Sequence, residues 1–497
     1  MSGRKLHALG QRIAMGTGLF VLALMPRALA LNTFVTPDER RWLGRSVKFL
    51  AALLYQDWAG TLRKGHPGVT TMWTAVAGLT SKYLLGAWSE RVSVSQASLL
   101  EFLRRVPTDM VGLDYLVAIR FPTALLTSAF VVVLYFLVGK LLSRKVALLS
   151  AVLVALDPLY LAHSRLLHHD ALVATFMTLS LLSFLVYLSQ TRASVYLVLS
   201  GLSAGLAFLS KATSLFLVPF VGLLAWMAYI GQSTASPQSR WREGRRWLSR
   251  LLVWGLIAGI TFVALWPAMW VEPAKALGRV WEKSTSAAAT DVHTQGNFLL
   301  GRPTLDAKVL FYPMTLLFRT TPLSLAGAAM AVYFLVRRYR QSPDLATQTE
   351  KRWRGHFEGG SLGSKDVVRN RNLISLLLYM FLFAVFMSLG GIKYDRYLLP
   401  IYPALEILAA EGLCQMAQWA KSKESGWLSH TVGLRLERPW TVSVVALVLQ
   451  AGFALPHYPY FLTYYNPALG GGWLAPRVML VGWGEGLEQA AHYLNDQ

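Results

Sequence analysis

The residues best suited to chemistry in this 497-residue chain fall into four short polar stretches set between long apolar runs. In 32-NTFVTPDERR-41 two carboxylates, Asp38 and Glu39, stand directly against Arg40 and Arg41. A carboxylate held there could act as general base for a hydroxyl or amine. Pro37 equally predicts the first turn of a helix running to Leu54, where the helix dipole favours acids. The stretch 62-LRKGHPGVTTMW-73 offers Arg63, Lys64 and His66 before a Pro-Gly turn. In 156-LDPLYLAHSRLLHHDALVATF-176, three histidines, one arginine and two aspartates lie between Asp157 and Asp170. His163, His168, His169 and Asp170 are metal ligands by residue type, but no pair has the i, i+4 spacing of a zinc-binding helix. Finally, 390-GGIKYDRYLLPIYPAL-405 places Lys393, Asp395 and Arg396 between two apolar runs. Fixed cations there suit an anionic head group, because they stabilise the charge that develops on a phosphate leaving group. A surface pair of Asp395 with Arg396 or Lys393 explains the same residues equally well.

Positioning these stretches is a task for a membrane-spanning frame. With 15% of residues charged, 54% hydrophobic and a mean hydropathy of +0.41, the chain is not an ordinary soluble domain. Windows such as 171-ALVATFMTLSLLSFLVYLS-189 are long enough to cross a hydrocarbon core about 30 Å thick. The net charge of +22 is gathered in short gaps, among them 240-RWREGRRWLSR-250 and 351-KRWRGHFEGGSLGSKDVVRNRN-372. These read as cytoplasmic loops beside anionic membrane lipid, and nucleic acid is not an expected partner. The single cysteine, Cys414, lies in an apolar run and excludes an intramolecular disulfide.

The first apolar run, Ile13 to Leu31, reads as an uncleaved anchor; Arg4, Lys5 and 28-ALA-30 make a cleaved signal the alternative. With the basic gaps inside, parity predicts an all-α polytopic membrane protein of about eleven transmembrane helices. They are expected near 11–31, 116–139, 146–163, 171–190, 194–210, 213–231, 251–268, 314–336, 373–391, 397–418 and 441–458. A long outer loop, 32–115, carries surface helices, and parity keeps 68–87 out of the membrane. Residues 1–458 form the transmembrane domain. Residues 459–497 form a small outer α/β cap, in which 477-RVMLVGWGEGLEQAAHYL-494 reads as a strand, a glycine turn and an amphipathic helix. The segment 482-GWGEG-486 lacks the βαβ surroundings of a dinucleotide fingerprint. All four polar clusters then gather on the outer face. A transporter or lipid-linked sugar flippase is the competing class, but such proteins tend to place ionisable groups near the bilayer midplane and to repeat their halves.

Taken in order, the four stretches resemble the lipid-carrier-dependent glycosyltransferases of GT-C type, specifically the protein O-mannosyltransferase and aminoarabinose-transferase superfamily. The resemblance covers most of residues 1–420. An Asp-Glu pair early in the first outer loop matches Asp38 and Glu39; His66, Pro67 and Gly68 look like the family's basic residue followed by proline. The second proline is absent, and Gly65 stands where the aminoarabinose transferases carry an acid. Asp170 occupies the position of the second acidic motif. Further, 205-GLAFLSKATSLFLVP-219 resembles the family's pattern at Lys211, and 393-KYDRYLLPIYP-403 its late basic and Leu-Pro motif. The resemblance implies transfer of a sugar from a polyprenyl-phosphate carrier to a protein, lipid or glycan acceptor at the outer membrane surface; the single cysteine and the outward polar face suit a bacterial plasma membrane, with an endomembrane as the alternative. It implies Asp38 as base, with Glu39 and Asp170 beside it in the catalytic group, and Lys393, Arg396 and His66 on the donor phosphate. His169 and Arg165 would orient the acceptor. No cofactor is required and no metal ligands are assigned; a divalent ion stays open.

Overall fold

Apolar segments in lipid must satisfy their own backbone hydrogen bonds, and helices do so. The structure is a computed structural model describing residues 3–64, 67–108, 111–189, 193–230, 237–289, 296–305, 309–341, 363–423 and 441–496, and almost all of its regular structure is helical. Seven helices among the described residues are long and apolar enough to cross a membrane, or nine if each of two bent pairs is one span. Two of the eleven expected spans fall short. Arg144–Leu156 and Ser194–Ser210 have 13 and 17 residues, about 20 and 26 Å of helix against a core of about 30 Å.

Proline accounts for two departures from the expected spans. The segment 146–163 is not one helix: Pro158 lacks the N–H that would continue it, and Asp157 instead caps a new helix, Pro158–His163, accepting from the Tyr160 N–H at 2.7 Å. The segment 314–336 is two helices, Phe311–Arg319 and Pro322–Gln341, bent by 115° where Thr320 is extended and Pro322 restarts the helix. The expected span 441–458 is helical over Thr441–His457, and a 106° bend separates it from Phe461–Leu469.

The centre of the bundle is made by Arg144–Leu156, His169–Ser189 and the late span Asp395–Ala420; the latter two are 89% and 94% buried over their apolar windows, against 11% for the first span, Leu6–Ala28. Small residues let the late span approach closely. A Cβ on Gly412 would lie 1.9 Å from the Gly327 carbonyl oxygen of Pro322–Gln341, a backbone contact of the kind small residues permit in membrane bundles.

The first loop folds into helices Pro37–Leu54, Val69–Glu90 and Gln96–Arg105, and none of the three is a candidate span. Trp42, Phe49, Met72 and Leu79 from this loop share one buried cluster with Leu116 and Ile119 of the span Leu113–Leu141. At its heart Glu39, fully buried, accepts from Arg120 Nε at 2.7 Å, from Leu167 N at 2.9 Å and from Thr36 N at 3.0 Å. Arg120 in turn donates to the carbonyls of Leu31, Thr33 and Phe34. Removing one partner of such a buried pair strands the other charge, so Glu39→Ala is expected to destabilise the folded protein by about 3–5 kcal/mol. Thermal unfolding of the purified variant checks this; an unchanged midpoint would remove the anchoring role. Arg165 serves the same loop, donating to the carbonyls of Leu29 and Ala30 and, at 3.3 Å, to that of Pro459.

The tail departs from the expected strand. Where a strand was expected after Arg477, only Met479 pairs, in a single bridge with Leu299; the glycine turn and the helix Leu487–Asn495 follow. An unforeseen hairpin, Asn297–Leu299 with Arg302–Thr304, supplies that partner. Its two-residue turn places Leu300 and Gly301 at φ of 51° and 78°, the backbone signature of a tight hairpin turn.

Candidate active site

Asp38 is the second residue of Pro37–Leu54, and the clamp on Glu39 fixes the start of that helix. The two neighbouring acids therefore part company: Glu39 points into the protein, while the Asp38 side chain, 23% exposed, lines a cavity of about 410 Å³. Arg41, His163, Arg319, Lys393, Arg396 and Trp483 share its walls. His168 stands between two carboxylates, its Nε2 3.3 Å from Asp38 Oδ2 and its Nδ1 3.0 Å from Asp170 Oδ2. In its doubly protonated form the ring donates to both.

Asp170, 1% exposed, is the floor of this arrangement, at the first turn of His169–Ser189. Lys211 donates to its Oδ1 at 2.7 Å, while Arg396 Nε lies 3.3 Å from Oδ2. Lys211 sits at the end of Ser194–Ser210, where Ser210 is tied to the first loop through Thr70 Oγ1 at 2.7 Å and the Gly68 N–H at 3.2 Å. Arg396 also reaches Asp38 Oδ2 at 3.6 Å, linking the two acids with its guanidinium fork. That fork lies over the Trp483 ring at 4.4 Å and the Tyr394 ring at 4.1 Å.

Burial raises the proton affinity of Asp38, but the His168 hydrogen bond and the charges of His168 and Arg396 outweigh it and hold the carboxyl down at about 2. A lowered carboxyl pKa contributes stability above the ordinary carboxylate range, and that contribution is lost only as pH falls from about 4 toward about 2. Between pH 5 and 8 neither unfolding nor turnover is therefore expected to vary through Asp38. A pH–rate profile with an acid limb near 6 that moves in an Asp38 variant would contradict this.

The remaining expected residues separate clearly. Lys393 lines the cavity, is 3% exposed and donates to the Gly390 carbonyl at 2.6 Å. His169 turns toward Trp42, with ring centroids 5.3 Å apart, and its Nε2 is 3.7 Å from Asp170 Oδ1. Glu39 and Arg165 bind backbone behind the cavity, and His66 lies outside the described residues. His168, named in the sequence only as a possible metal ligand, and Lys211, named only for its match to the family pattern, complete the site with Arg319 and Trp483, which were not singled out. Arg319 holds Asp395 at 2.6 Å and the carbonyls of Leu462 and Tyr464 at 2.6 and 3.0 Å, binding the tail to the cavity wall.

The ligand atoms of His168, His169 and Asp170 all fall within 4.8 Å of one another, close enough to hold a metal ion. Yet Asp170 already receives the ammonium of Lys211 on one oxygen and the guanidinium of Arg396 beside the other. A metal would have to displace these charges, and the residues present fit it poorly.

Residues 99–270 match the sequence profile of the dolichyl-phosphate-mannose-protein mannosyltransferase family. That match covers 172 of the 497 residues. No curated protein shows a significant sequence match. Among solved structures, the chain is similar to the archaeal oligosaccharyltransferase of Archaeoglobus fulgidus in complex with an inhibitory peptide and a dolichol-phosphate, at 13% identity and a TM-score of 0.48 over 90% of this chain and 55% of that one. It is similar to ArnT from Cupriavidus metallidurans bound to undecaprenyl phosphate, at 16% identity and a TM-score of 0.47 over 91% and 71%. The protein O-mannosyltransferase complex of S. cerevisiae bound to its sugar donor gives 20% identity and a TM-score of 0.39 over 58% and 37%. The chain thus spans about half the length of the archaeal enzyme.

Proposed function

We propose that this protein is an integral-membrane glycosyltransferase that moves a sugar from a polyprenyl-phosphate carrier to an acceptor, with inversion, using Asp38 as general base. One observation carries the reading: a partly exposed, ionised carboxylate shares a single cavity with the cations Arg396 and Lys393. The acceptor oxygen or nitrogen attacks the anomeric carbon, the bond from that carbon to the phosphate oxygen breaks, and its electron pair leaves with the polyprenyl phosphate. The acceptor proton passes to Asp38. A carboxylate near pKa 2 is a weak base, so proton transfer accompanies the attack rather than preceding it. Arg396 and Lys393 receive the leaving phosphate. Asp170 and His168 act behind Asp38, with Lys211 balancing the buried charge.

The cavity opens on the outer side of a bacterial plasma membrane in this reading, because Lys140, Arg144, Arg337 and Arg338 lie at the opposite ends of the spans, where the positive-inside rule puts the cytoplasm. The residues that line the cavity come from the first outer loop and the tail as well as from the spans, so we assign residues 459–497 to the acceptor side of the catalytic unit. In-line displacement by a base on one side and a phosphate site on the other requires inversion. An NMR assignment of donor and product anomers tests this: opposite configurations are expected, and retained configuration would require a covalent sugar intermediate and overturn the assignment of Asp38 as base.

A further inference from the structure

A second, larger cavity lies at the far end of the same helices. It has a volume of about 970 Å³ and opens between the first helix, Gly3–Ala28, the span Leu113–Leu141 and Arg144–Leu156. Arg120, beside the candidate active site, and Lys140, in this second cavity, are 20 residues apart on one helix. That separation is about 30 Å, the thickness of the hydrocarbon core, so the two cavities belong to opposite faces of the membrane.

Its lining is divided. Along its length it is apolar, and the first helix, only 11% buried over its apolar window, leaves it open to surrounding lipid. At one end Arg12, Lys140, Arg144 and Lys145 converge, with no carboxylate among the lining residues. None of the four forms an ion pair with an acid among the described residues. Positive charge concentrated at the mouth of an apolar slot matches an amphiphile with an anionic head and hydrocarbon tails.

We propose that this slot binds an anionic phospholipid of the cytoplasmic leaflet, its phosphate held by Arg12, Lys140, Arg144 and Lys145 and its acyl chain lying against the first helix. The site is separate from the sugar-transfer cavity. It fastens the peripheral first helix to the bundle on the face opposite the chemistry.

Titrating phosphatidylglycerol into nanodiscs of phosphatidylcholine that hold the full chain, with retained lipid read by native mass spectrometry, tests the proposal. Two variants separate charge from shape. Arg12→Gln/Arg144→Gln/Lys145→Gln removes three cations and is expected to bind phosphatidylglycerol about a hundredfold more weakly. Gly18→Phe keeps every cation; a Cβ at Gly18, which lines the slot, meets no atom within 4 Å, so a side chain can start there without a clash, and its ring should occupy the slot and also abolish retention. Wild-type retention of phosphatidylglycerol over phosphatidylcholine, lost in both variants, supports the site. Equal retention of the two lipids by wild type, or undiminished retention by Gly18→Phe, overturns it, and Gly18→Phe decides alone if the triple variant does not fold. Displacement of phosphatidylglycerol by an equimolar amount of undecaprenyl phosphate would also overturn it, in favour of the carrier as occupant.

Discussion

Asp38→Asn is expected to lower turnover by about 10²–10⁴ while leaving the protein folded, the range lost with a positioned general base. Asparagine keeps the size of the side chain and its place on Pro37–Leu54, whose start is fixed by Glu39 rather than by Asp38. It loses the capacity to take a proton from the acceptor. It also leaves His168 Nε2 and Arg396 Nη2, at 3.3 and 3.6 Å, without their anionic partner. Thermal stability should fall by no more than those lost ion pairs contribute, and donor binding should persist while the rate collapses. A variant that turns over at the wild-type rate would transfer the base role to Asp170 or remove it altogether.

Arg396→Ala comes next, with an expected loss of about 10²–10³ in turnover, the usual consequence of deleting one fixed charge from a developing anion. Arg396, like His168, approaches both site carboxylates, at 3.6 Å from Asp38 and 3.3 Å from Asp170. Its removal acts twice. The leaving phosphate loses a cation, and Asp38 loses one of the charges that keep it ionised. Arg396→Lys restores the charge but not the planar fork, so it should recover only part of the rate. Steady-state kinetics with separate measurement of donor affinity distinguishes the two consequences. Full activity in Arg396→Ala would leave Lys393 as the only phosphate ligand from its stretch and would undo the pairing of the two acids through one guanidinium.

The sequence made the four polar stretches visible because each interrupts an apolar run, and it made the helical frame visible because few charges interrupt the spans. The partnerships were not visible. Glu39 and Asp38 are adjacent and chemically alike, yet one is bound by an arginine 81 residues away and the other faces a cavity. Asp395 was readable as a neighbour's partner, but it pairs with Arg319, 76 residues earlier. Choosing between His168 and His169 required knowing that the helix begins at His169 and leaves His168 in the preceding turn, where its N–H meets the Leu166 carbonyl. Trp483 lay in a glycine-rich stretch whose motif reading led nowhere; only the folded tail brings it over Arg396. The broken helix at Asp157 was foreseeable, since Pro158 cannot continue a hydrogen-bonded helix.

The central claim is that a polyprenyl-phosphate sugar is consumed in the cavity that Asp38 lines. The most direct measurement follows release of free polyprenyl phosphate by purified wild-type protein from a panel of polyprenyl-phosphate sugars, with crude cell-envelope material as acceptor. Time-dependent release from at least one donor, absent in Asp38→Asn, is the expected result. No release from any donor while the protein is folded, or equal release by the variant, would contradict the claim and favour a transporter or flippase.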